Sequence, residues 1–142
     1  MARKILGVII GVVTDVTISL LLGIIFGIGI AIFLAVRGVN PNDLGPQITS
    51  LLKEPYMKLA NAGLGCFGSL VGGFVTGWIA RTNRVLCGAI MGLGSVVISI
   101  PFWNQEPLWF NVLGVTLTLV VATSGAWLAE AVFGHRSLPP PQ

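Results

Sequence analysis

Residues 65–84 read GCFGSLVGGFVTGWIARTNR. The stretch is small and apolar as far as Ala80, then turns basic and polar at Arg81-Thr-Asn-Arg84. Gly65, Gly68, Ser69, Gly72, Gly73, Thr76, Gly77 and Ala80 recur at steps of three and four residues, the spacing that places side chains on one face of an α-helix. Ser69, Gly73 and Gly77 form one tandem small-xxx-small series, and Gly68 with Gly72 forms another. Lipid supplies no hydrophobic drive between helices, so such a face works by letting backbones approach closely. A second apolar run, 85–102, begins directly after Arg84. So short a connection forces an antiparallel helical hairpin. Gly88, Gly92, Ser95 and Ser99 line one side of that run and are expected to face the glycine stripe across the hairpin.

The rest of the chain fits this reading. Of its 142 residues, 54% are hydrophobic and 9% charged, with a mean hydropathy of +0.91. A water-soluble domain of this length needs about a quarter of its residues charged, so the composition points to a membrane protein. A first apolar run, 5–36, follows Arg3 and Lys4; as a helix it is about 48 Å long against roughly 30 Å of hydrocarbon, so it must tilt, bend or protrude. It is too long for the apolar core of a secretory signal and reads as an uncleaved span. A polar outer loop, 37–56, carries Pro41, Pro46 and Pro55, and within it Ile48, Leu51 and Leu52 suggest a short helix on the membrane surface. Runs at 57–80, 85–102 and 108–133 complete four spans, leaving no room for a separate domain. The expected architecture is an all-α integral membrane protein, a compact antiparallel bundle of four transmembrane helices.

Basic residues set the expected orientation. With the N-terminus in the cytoplasm, Arg3, Lys4, Arg81, Arg84 and Arg136 lie inside, while Arg37, Lys53 and Lys58 lie outside. The same topology puts Tyr56, Trp103 and Trp109 at the outer boundary and Trp78 and Trp127 toward the inner one. The expected location is the cell (inner) membrane, multi-pass, with both termini cytoplasmic.

Polar chemistry inside the spans is sparse. Asp15 is the one carboxylate within a span, about 15 Å deep if the helix enters near Ile5. An ionised Asp there costs roughly 2.5 to 3.5 kcal/mol on insertion scales. Its expected neighbours at that depth are Ser69, Ser95 and Thr118, and no Lys, Arg or His lies in another span to pair with it. Asp15 with Ser69 and Ser95 is therefore either a proton or cation site or a hydrogen-bonded link between helices. A dry contact with the two serines would mark it as structural, and a water-filled cavity would mark transport. No proline falls clearly inside a span, whereas transporters commonly interrupt helices at their sites. Glu130 is expected to pair with Arg81, Arg84 or Arg136.

Other chemistries find no residues. Cys66 and Cys87 fall at different depths and read as free thiols; no Cys/His cluster suggests a metal, and no cofactor is expected. Gly63-Leu-Gly65-Cys-Phe-Gly68 matches G-x-G-x-x-G by letter, but no strand precedes it and no acidic residue follows about 20 positions on. The basic residues are too few and too dispersed for nucleic acid. No enzyme is expected. The packing face of Gly68, Gly72, Gly73, Gly77, Gly88 and Gly92 could be completed by Gly7, Gly11, Gly23 and Gly27 in the first span and Gly114, Ala122 and Gly125 in the fourth. The first span, with its two GxxxG pairs, is the better candidate for a face turned outward. The expected partners are the lipid bilayer and a second copy or a larger membrane-protein complex.

Gly72-Gly-Phe-Val-Thr-Gly-Trp-Ile-Ala-Arg81, followed by Gly88-Ala-Ile-Met-Gly92, resembles a signature of small uncharacterised four-span bacterial inner-membrane proteins. In that family a Gly-Gly-aromatic segment ends the second helix with Ile-Ala and a basic residue, and an acidic residue stands in the first span, as Asp15 does here. Phe74 occupies a position where tyrosine is more frequent. The resemblance covers about 30 residues closely, from the glycine stripe to the start of the third run, and implies a fold and a location but no activity.

Overall fold

The computed structural model describes residues 2–101 and 107–134. These form five α-helices: α1 (Ala2–Val36), α2 (Leu44–Leu52), α3 (Pro55–Ala80), α4 (Arg84–Ser99) and α5 (Leu108–Phe133), with a 3-10 turn at Pro41–Asp43 before α2. No strand occurs among the described residues. The helix ends follow local chemistry. Beyond α1, Gly38 takes a positive φ of 80°; its N–H donates to the Ala35 carbonyl at 3.0 Å and that of Val39 to the Leu34 carbonyl at 3.2 Å. This paired arrangement closes a helix on a left-handed residue, which glycine adopts without steric cost. Pro55 opens α3, where its fixed φ suits the first helical position. At the far end Arg81 and Asn83 both take positive φ, 57° and 51°, and reverse the chain tightly into α4.

The third helix is the axis of the molecule. α1 packs along one side of it and α5 along another, α4 fills the space beside all three, and α1 and α5 scarcely meet. The interior is made of small residues. Ala80, Cys87, Met91, Ala122, Ala126 and Ala129 are buried with the glycines of α3, whereas Leu20, Ile24, Ile25, Ile28, Phe67, Leu93, Val97 and Trp127 are exposed. Soluble monomers rarely expose contiguous apolar surface on this scale.

Three helices, α1, α3 and α5, are long and apolar enough to cross a membrane. The sequence reading counted four spans. The third of these forms α4, which has 16 residues and stops at Ser99 rather than at 102. At 1.5 Å per residue it is about 24 Å long, short of roughly 30 Å of hydrocarbon, so length alone does not make it a span. Phe102, Trp103, His135 and Arg136 lie outside the described residues. The short helix anticipated in the polar loop is α2, with Leu44, Ile48 and Leu51 half-buried.

Candidate functional site

Asp15 is 5% exposed on α1, at the meeting point of three helices. Ser69 of α3 donates to both carboxylate oxygens, at 3.2 Å to Oδ1 and 3.3 Å to Oδ2. Ser95 of α4 donates to Oδ2 at 2.5 Å. Ser19, one turn along α1, donates to Oδ1 at 3.4 Å. The three positions lie at matching heights because α1 and α4 both run antiparallel to α3. Asp15 stands twelve residues from Arg3, Ser69 twelve from Arg81 and Ser95 eleven from Arg84, which is about 16 to 18 Å.

Small residues create the access. A methyl group on Gly72 would come within 2.7 Å of the Gly11 carbonyl oxygen and 2.9 Å of the Asp15 Cβ; one on Gly68 would stand 3.0 Å from Asp15 Oδ1. Without glycine at both positions α3 could not lie close enough for Ser69 to reach the carboxylate. Met91 and Thr76, both fully buried, close the floor, with the Thr76 hydroxyl donating to the Gly72 carbonyl at 2.9 Å. No buried side-chain nitrogen or oxygen among the described residues is left without a partner. Clefts lie beside Arg3 and Arg81 and between α4 and α5, and Asp15 lines neither of these.

A carboxylate offers about four lone-pair directions, and three hydroxyls occupy most of them. The arrangement can hold three helices in register. Its oxygen set could also take a proton or a small cation in place of a hydroxyl hydrogen.

The structure brings Asp15, Ser69 and Ser95 together. Thr118 stands half-buried on α5, which α1 scarcely touches, so the carboxylate is served by Ser19 instead. The signal for Ser19 was its i, i+4 spacing from Asp15 on one helix. The glycine positions sort differently from the expected hairpin seam. Gly68 and Gly72 face α1, whereas Gly73 and Gly77 face α5, where a methyl group on Gly77 would meet the Ala126 carbonyl oxygen at 2.9 Å. Gly88 and Gly92 face Ala122 and Ala126 of α5 rather than α3. Gly7 and Gly11, suggested for an outward face, are buried against α3. Gly23, Gly27, Gly65 and Gly114 have open space where a Cβ would be.

Arg84 was read as an orientation signal and as one candidate partner for Glu130. It is 8% exposed, and its Nη1 donates to the Ala129 carbonyl at 2.7 Å while its Nε donates to the Arg81 carbonyl at 3.3 Å. The guanidinium thus ties the α3–α4 turn to the last turns of α5 instead of pairing with the exposed Glu130. Arg136, the other cation considered for Glu130, lies outside the described residues. Cys66 and Cys87 are free thiols. Among the described residues no group of His, Cys, Asp and Glu is arranged to hold a metal ion. No family model, curated protein or solved structure matches the chain.

Proposed function

We propose that the protein is a non-enzymatic integral membrane protein of four spans, with both termini in the cytoplasm of a cell whose inner membrane it occupies, and that it serves as a structural or accessory subunit packing against another membrane protein or a second copy. The observation that carries this reading is the state of the second GxxxG pair on α1. Gly23 and Gly27 have nothing within 4 Å, and they sit among the exposed side chains of Leu20, Ile24 and Ile28. A lipid-facing helix has no need of paired glycines, whereas a helix–helix contact does.

Further support comes from Asp15, whose buried carboxylate accepts from hydroxyls on three helices, as a structural link would. α4 completes the fourth span in this reading, because the 3-10 continuation at Ile100 and Pro101 extends its 16 residues and a bilayer thins modestly around a short helix. The resemblance of residues 72–92 to the four-span family is consistent with the same layout.

Purification in mild detergent tests the proposal. The expected result is a defined homo-oligomer or a stoichiometric membrane-protein partner that dissociates in a Gly23→Leu, Gly27→Leu double variant. A monodisperse monomer with no stoichiometric partner would overturn it. In the alternative reading, a small transporter or channel subunit would use Asp15 as its proton or cation site. That reading requires reconstituted vesicles to show flux that Asp15→Asn abolishes, and equal behaviour of variant and wild type excludes it.

A further inference from the structure

The basic end of the bundle carries a cleft that the Asp15 cluster does not use. Arg3, from the first turn of α1, and Trp78, Ile79 and Arg81, from the end of α3, line a cavity of about 200 Å³. Its walls are brought together by Gly7, where a methyl group would stand 3.2 Å from the Thr76 carbonyl oxygen and 3.4 Å from the Ala80 nitrogen, so the first turns of α1 run beside the last turns of α3. Arg81 is held in place from behind: its backbone is left-handed and its carbonyl accepts the hydrogen bond from Arg84 Nε. The Arg84 guanidinium is engaged there and at Ala129, so Arg3 and Arg81 are the cations lining the cleft.

Among the described residues no carboxylate pairs with either of them: the first turn of α1 has no acidic residue, and Glu130, on α5 beside the end of α3, is exposed. The unpartnered N–H groups of the first turn of α1 add further positive potential. Paired guanidinium groups suit phosphate oxygens, which they can bind in a bidentate manner. The volume lies below the roughly 300 to 1,000 Å³ usual for whole small-molecule ligands, and suits a headgroup fragment. Trp78 is half-exposed on the wall, and tryptophan favours the level of lipid headgroups.

We propose that the cleft formed by Arg3, Trp78, Ile79 and Arg81 binds a phosphate-bearing anion, supplied by the headgroup of an anionic phospholipid. The lipid source rests on the membrane reading above; the phosphate chemistry does not. Detergent-purified protein is titrated with phosphatidylglycerol, with phosphatidylcholine and with inorganic phosphate, and bound molecules are counted by native mass spectrometry. One phosphatidylglycerol is expected to bind at least about tenfold more tightly than phosphatidylcholine, and Arg3→Gln and Arg81→Gln are each expected to weaken it about tenfold, the size of one charge-assisted hydrogen bond. Lys4→Gln removes the same charge at the same end but lies outside the cleft, and is expected to change binding less than twofold. Should Arg81→Gln fail to fold, Arg3→Gln at an exposed first-turn position decides alone.

Phosphate binding that needs Arg3, without a preference between the two lipids, would overturn the lipid as source. Loss in Lys4→Gln equal to that in Arg3→Gln, or no selective binding of either anion, would overturn the site. Alkaline carbonate extraction separates this from the membrane reading, because release of the protein into the soluble fraction would sink that reading while the phosphate titration still reports on the cleft.

Discussion

The first helix contains the same motif twice, and the two copies have opposite fates. Gly7 and Gly11 are buried against α3, and a methyl group on Gly11 would come within 2.9 Å of the Gly72 carbonyl oxygen. Gly23 and Gly27 have the same spacing and face open space. The difference lies in what stands opposite. Gly7 and Gly11 meet a stretch of α3 that is itself small, Gly72, Thr76 and Ala80, and the buried Asp15 one turn further on is secured from two other helices. On the far half of α1 no described residue fills that role. A GxxxG pair therefore marks a surface capable of close approach, and the neighbour's own profile decides whether the approach occurs within the chain.

The largest expected effect is at Gly11. Gly11→Leu drives a branched side chain into the Gly72 carbonyl and the Thr76 side chain, and should destabilise the bundle by about 3 kcal/mol or more, seen as loss of a monodisperse species and a lower unfolding midpoint in detergent. A variant as stable as wild type would show that the α1–α3 contact is looser than described. Asp15→Ala comes next. It leaves the Ser69 and Ser95 hydroxyls without their acceptor, at a cost of about 1 to 3 kcal/mol, moderated where a serine turns back to a carbonyl in its own helix. Asp15→Asn keeps an acceptor oxygen and should recover part of the loss, a ranking measurable by the same unfolding assay. Smallest of all, Gly27→Leu should change the stability of the isolated chain by less than about 0.5 kcal/mol, since the position is open. Any larger loss in the isolated chain would mean that the Gly23–Gly27 face of α1 is already packed within the monomer.

These contrasts explain how far the amino-acid sequence could be read. The helices followed from hydropathy and from prolines and glycines at their ends, because local backbone chemistry governs both. Asp15, Ser69 and Ser95 were placed together by depth alone, which works in a bundle of antiparallel helices, where residue count from a shared end converts directly to height. Rotation about the helix axis is another matter. Depth gave no way to tell that α5, carrying Thr118, stands across α3 from α1, or that Gly88 and Gly92 turn toward Ala122 and Ala126. The three-residue turn made α3 and α4 neighbours in sequence, but Gly68 of α3 faced α1 and Gly73 and Gly77 faced α5, and α4 presented its own small face to α5. Arg84 was hidden for a related reason: a buried arginine satisfied by main-chain carbonyls has no partner residue type to betray it.

The same arginine bears on the order in which the molecule can be completed. The Asp15 cluster draws its members from positions 15 to 95 and needs nothing from α5. Arg84 also needs the carbonyl of Ala129, which is made later. Chains mature from the N-terminus as they are synthesised, so the carboxylate can be enclosed before α5 leaves the ribosome, and the hydrogen bond from Arg84 Nη1 forms only when α5 docks.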